Sequence, residues 1–162
     1  MPPIQKSTLV AAIIDRLREE LRVLEDAREM ANEEALPDDD IAESQRENRA
    51  LENQYLVDGQ DRVAREHREA ILAYQALAPR DFGAGDSAAL GALVEVETGS
   101  ERALYFLGPK AGGLEVTSNG ATIFVLTPQS PLGQRLIGRN PGDVFAVANP
   151  GPRRTARVLA LS

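Results

Sequence analysis

Four carboxylates fall within six residues at Asp38, Asp39, Asp40 and Glu43, in the stretch "LPDDDIAES". Each ionised acid raises the cost of ionising the next, so the concentration needs a reason. A solvated helix cap and turn is one. A cation is the other: Mg²⁺ is a hard ion that keeps several waters and takes one or two carboxylates together with substrate phosphate oxygens, so an exposed tip can donate part of its shell. A second metal ion of this kind can activate water and stabilise a leaving oxygen. Asp40 and Glu43, three residues apart, share a helix face if a helix begins at Asp40 or earlier.

The elements around this cluster are long helices. From Ser7 to Ala78 the only glycine is Gly59 and the only proline Pro37, a helical composition with one break. Val10, Ile14, Leu17, Leu21, Leu24 and Ala31 follow a 4-3-4-3 spacing that only Arg28 interrupts, and Ser7 is placed to cap this first helix. Pro37 ends it. One of Asp38 to Asp40 then caps a second helix, about residues 41–77, with a looser seam through Leu56, Val63, Ala70 and Leu77. Gly59 on that seam would let the partner helix approach closely. A short connection makes the two an antiparallel pair about 45 Å long at 1.5 Å per residue, with the acids at the far tip.

The pattern changes near "LAPRDFGAGDS". Beyond it, five short segments (91–99, 101–109, 120–128, 143–151 and 155–162) are rich in β-branched, aromatic or aliphatic residues and bounded by Gly, Pro or Asn. Residues 130–143 read as one short helix, Pro131 in its first turn and Gly138 at its end. The fold class is α+β: a helical hairpin (1–78), a linker (79–89) and a small, mostly antiparallel sheet domain with one short helix (90–162).

Charge and composition exclude several functions. Residues 1–80 hold 11 Lys/Arg against 18 Asp/Glu, and residues 81–162 hold 7 against 7. The acidic excess argues against free nucleic acid as the main ligand, and independent DNA binding is not expected. Without cysteine there is no disulfide frame or thiolate metal site. No stretch resembles a signal peptide or membrane span, so a cytoplasmic protein is expected; separately, a monomer is expected. The only histidine, His67, lies among Arg65, Glu66 and Arg68 and reads as a surface or seam residue; no Ser-His-Asp set can be built from it. Gly83-Ala-Gly85-Asp-Ser-Ala88 fits a dinucleotide fingerprint but follows a helix and precedes a strand, the reverse of the required order. Gly108-Pro-Lys110-Ala-Gly-Gly113 lacks the spacing of a phosphate loop and reads as a hairpin turn.

Ser130-Pro131-Leu132-Gly133, followed by Leu136, Gly138, Gly142 and Asp143, is similar to the "SPxG…LxGxxxGD" signature of the bacterial transcript-cleavage factors GreA and GreB. Gly91-Ala92-Leu93-Val94-Glu95-Val96 resembles the opening strand of their C-terminal domain, and Leu17-Arg18-Glu19-Glu20-Leu21 their "LREEL". The resemblance spans nearly the whole chain. It implies an FKBP-like C-terminal domain that docks on RNA polymerase through the Ser130, Pro131, Leu132 and Gly133 turn, and a coiled-coil finger in the polymerase secondary channel. It also implies that Asp40 and Glu43 are catalytic, with Asp38, Asp39, Asp40 and Glu43 helping to hold a Mg²⁺ shared with the polymerase active site, where backtracked RNA is hydrolysed. The chain would then be a cofactor of the polymerase's own nuclease activity and not an independent enzyme, meeting the RNA 3′ end only within that complex. The segment between "LREEL" and the tip is about one helical turn shorter than in GreA and the tip more acidic, which also resembles Gre-like factors that occupy the channel and inhibit. A coiled-coil interaction protein unrelated to polymerase is the third class.

Overall fold

Helix α1 spans Lys6–Glu33 and helix α2 Glu43–Ala76. The strands are β1 (Leu93–Thr98), β2 (Glu101–Leu107), β3 (Glu115–Ser118), β4 (Ala121–Leu126), β5 (Val144–Val147) and β6 (Arg154–Leu161), with helix α3 at Pro131–Leu136. This computed structural model describes residues 3–33, 42–147 and 151–162. At about 1.5 Å per residue α1 is about 42 Å long and α2 about 51 Å. They run antiparallel: Glu25 pairs with Arg68 (2.7 Å), and Arg28 with Asp61.

The helix starts differ from the sequence expectation. α1 begins at Lys6, so Ser7 lies inside its first turn and is not the cap. α2 begins at Glu43, and its N-cap is Ala42, extended at φ −56°, ψ 141°, with no side-chain capping bond. No aspartate caps α2; the acid that meets the positive end of the helix dipole is Glu43, within the first turn. Gly59 also serves no close approach, since a Cβ built there would touch nothing within 4 Å.

The sheet order is β3-β4-β2-β1-β6-β5. Four pairs are antiparallel, but β2 and β4 run parallel, Leu104 opposite Ile123 and Leu107 opposite Leu126. The reason is β3, a strand the sequence reading passed over. Chain 108–114 does not form the expected hairpin turn; it carries β2 across to β3 at the edge. The real hairpin follows at Asn119-Gly120, both with positive φ (51° and 76°), and returns β4 between β3 and β2. Asn-Gly suits this turn because both residues tolerate the left-handed region.

Alternation along the strands builds a core on each sheet face. On one, Leu93, Phe106, Ile123 and Val125 pack against Leu9, Ile13 and Leu17 of α1 and Ala70 and Tyr74 of α2. The α1 seam is therefore turned from the expected one: Leu9 and Ile13 are its deepest residues, while Ile14, Leu21 and Leu24 are only half-buried and Ala31 is exposed. Near its root the helix faces a sheet as well as a partner helix, and the wider apolar stripe answers both. On the other sheet face, Val94, Val96, Leu107 and Val158 pack with Leu136 of α3, Phe145 of β5 and Phe82 and Ala88 of the segment joining α2 to β1.

Candidate functional site

Asp38, Asp39 and Asp40 lie outside the described residues; Glu43, exposed, opens α2. α2 starts at Glu43 with Ala42 as its N-cap, and the expected sharing of a helix face by Asp40 and Glu43 falls outside the described residues. Every described side chain from Ala42 to Asp58 is exposed, with Leu51, Tyr55 and Leu56 among them. Among the described residues no group of three or more His, Asp or Glu could hold a metal ion. The donor chemistry of Glu43, a hard carboxylate oxygen, suits Mg²⁺ as a partial ligand whose remaining shell comes from elsewhere.

The root of the finger is held by contacts that spacing did not reveal. His67 sits half-buried between the helices, Nε2 3.0 Å from Glu20 and Nδ1 2.9 Å from the Val63 carbonyl, as a seam residue. Arg16 pairs with the other Glu20 oxygen at 3.1 Å. Tyr74 is 1% exposed and donates its hydroxyl to the Lys110 carbonyl (2.8 Å); burial pushes its pKa well above the usual phenol range. A Cβ on Gly108 would collide with that ring's hydroxyl, so the glycine of "GPKAGG" serves this close approach. Lys110 in turn pairs with Glu69 at 2.9 Å.

Lys6 is buried at the start of α1. Its Nζ donates to the Arg80 carbonyl (2.5 Å) and lies 4.3 Å from the centre of the Phe82 ring, which Arg80 also covers at 3.9 Å. Loss of hydration pulls its pKa down to about 8; Asp81 opposes the shift and Arg80 adds to it. The segment expected to be a linker is thus fastened at both ends, since Ala88 exchanges backbone bonds with Gly138 and Arg139.

The second predicted site, the α3 turn, is rigid. Ser130 is the N-cap: its Oγ accepts from the Gly133 N–H (3.1 Å) and donates to the Thr127 carbonyl (2.8 Å). Pro131 at the first turn is exposed, and Leu132 is half-buried against the second core. Gly133 is buried, and any Cβ there would run into the Thr127 carbonyl and Ser130 Oγ. The signature is therefore built for close packing of α3 on the 127–130 backbone. Gly138, at φ 80°, ends the helix as expected.

A two-helix finger rooted on a six-stranded α+β sheet domain, with acids at its free end, defines the class. No protein-family model matches the chain. It is 31% identical over 170 residues to transcription elongation factor GreA of Acidiphilium cryptum (strain JF-5), covering 98% of both chains. It is 26% identical over 125 residues to GreA of Streptococcus thermophilus (strain LMD-9), covering 75% of this chain and 71% of that one. The chain belongs to the GreA/GreB family of transcription elongation factors. Among solved structures, Thermus aquaticus Gfh1 aligns over 96% of this chain and 92% of its own at 21% identity and TM-score 0.39. The Nitrosomonas europaea GreA/GreB factor aligns over 70% and 93% at 16% identity and TM-score 0.38. The family assignment rests on the sequence relatives and not on these superpositions.

Proposed function

We propose that the chain binds RNA polymerase, enters its secondary channel with the distal finger and stimulates hydrolysis of backtracked RNA there. The observation that carries this reading is the end of α2: a helix exposed on every side from Ala42 to Asp58 buries nothing of its own and calls for a partner's walls. Family membership supplies the class of partner. Glu43 and the adjacent Asp38 to Asp40 would help hold a Mg²⁺ shared with the polymerase, which supplies water activation and charge neutralisation when bound. The finger's own residues carry the acids away from the sheet, and α2 aligns Glu43 with its N-terminal dipole. Docking would fall to the α3 turn, where Ser130 and Gly133 fix the backbone and Pro131 is displayed to solvent. Such a protein works in the cytoplasm beside the polymerase.

The extra acids Asp38 and Asp39 and the short segment between "LREEL" and the tip favour a second reading, in which the tip occupies the channel and inhibits. One experiment separates the two. Backtracked polymerase complexes with labelled RNA are incubated with wild type, with Asp40→Asn/Glu43→Gln and with Pro131→Asp. Shortened transcripts with wild type, lost in the tip variant at unchanged polymerase affinity, support cleavage stimulation; binding without shortening at any Mg²⁺ concentration overturns it and favours the inhibitory reading. Because Leu132 packs on the core, Pro131→Asp is the cleaner docking test; an acid is tolerated at a first helical turn, so weakened polymerase binding would report the contact and unchanged binding would remove the turn from the interface.

A further inference from the structure

We propose that the sheet end formed by the β1–β2 turn and the start of β6 is a contact site for the phosphodiester backbone of a nucleic acid. Arg153, Arg154 and Thr155 lie there beside Thr98, Gly99 and Ser100, lining an open cleft of about 460 Å³. Gly99, at φ 64°, makes the turn tight. Among the described residues, the side chains of Arg153, Arg154, Thr98, Ser100 and Thr155 make no hydrogen bond or ion pair. Glu101 is the one acid on the rim. The cleft is thus a cluster of unspent donors.

The overall charge of −7 hides this end. The cleft lining holds Arg153 and Arg154 against Glu101 alone, while residues 1–80 hold 11 Lys/Arg against 18 Asp/Glu. A polyanion repelled by the finger therefore finds a locally cationic surface here.

The lining decides between kinds of partner. A protein partner is held by buried apolar and aromatic anchors, and the cleft has none, its apolar atoms being threonine methyls and arginine stems. Nucleic-acid backbones are held by arginine, serine and threonine side chains, and arginine matches phosphate oxygens bidentately. With no aromatic ring lining the cleft to stack a base, contact is to the backbone and independent of sequence.

The test uses the isolated full chain and does not depend on polymerase binding. ¹⁵N-labelled protein is titrated at low salt with a short mixed-sequence RNA, and with inorganic phosphate and poly-glutamate as separate probes. The expected result is RNA-induced shifts at Gly99, Ser100 and Arg153 to Thr155, with none at Glu43 to Asp58. Arg153→Gln/Arg154→Gln should weaken binding by roughly tenfold or more. It should also flatten the dependence of log affinity on log salt by about 1.4, the value for two single-strand phosphates. The proposal is overturned if the double variant, folded by its spectrum, binds RNA as wild type does, or if the shifts map elsewhere. Poly-glutamate binding as tight as RNA would assign the cleft to an acidic protein surface, and phosphate as effective as RNA to a small anion; either result also overturns it.

Discussion

The two ends of α2 belong to one continuous helix and meet opposite environments. At its root Ala70 and Tyr74 are 3% and 1% exposed, shared between α1 and the sheet. Four to six turns away Leu51, Tyr55 and Leu56 are 53%, 76% and 64% exposed. The apolar residues are similar in type; the surroundings differ. Among the described residues, α1 pairs with α2 at Asp61 and Arg68, and the sheet packs on it at Ala70 and Tyr74. Burial is therefore concentrated at one end of the finger, and the apolar side chains near the other stand in solvent.

The largest effect that tests this contrast is a pair of matched truncations. Tyr74→Ala empties a buried site and removes the bond to Lys110, and should lower unfolding free energy by about 3–5 kcal/mol. Tyr55→Ala should cost no more than about 0.5 kcal/mol. Chemical denaturation measures both. Equal losses would mean that the distal helix is packed, and the contrast would fail.

A pH titration sharpens the account of the root. Lys6 has a folded pKa of about 8 against an ordinary 10.5, so between those values the unfolded chain binds more protons. Stability should therefore rise with pH from about 8, by at most about 1.4 kcal/mol per unit. Tyr74 acts in the opposite sense. Its pKa is raised from 10.0, so above pH 10 the unfolded chain loses a proton that the folded one keeps, and stability falls. A maximum near pH 10 is expected. Lys6→Met should abolish the rising limb and leave the falling one; a rising limb that survives the substitution would assign it to another group.

The smallest effect lies on the other sheet face. Ser130→Ala removes the α3 cap and should cost about 1 kcal/mol. Amide exchange should quicken in α3 and not at the root of the finger, since the two cores lie on opposite faces. Equal quickening at Tyr74 and Leu136 would show the cores to be one cooperative unit.

Much of the architecture was legible. The 4-3-4-3 spacing and the scarcity of glycine announced two helices, because helix propensity acts locally. The Ser130-Pro131 start and Gly138 end of α3 were readable for the same reason. The short "EVTS" strand was not: four residues fall below the length at which alternation is distinctive. Its hairpin signal, Asn119-Gly120, was available and was passed over. The acidic tip was legible as composition, while the expected helical pairing of Asp40 with Glu43 falls outside the described residues, which resume at Ala42.

The sequence by itself determined element type, the segregation of acid into the finger and the family signature, because each is written in neighbouring residues. Only the tertiary structure decided that β4 would run parallel to β2, that Gly108 would receive the Tyr74 hydroxyl, and that Lys6 would be buried beside Phe82. Those contacts join residues 19 to 76 positions apart. Nothing in local propensity encodes them; they follow from which apolar surfaces are left to be covered once helices and strands have formed.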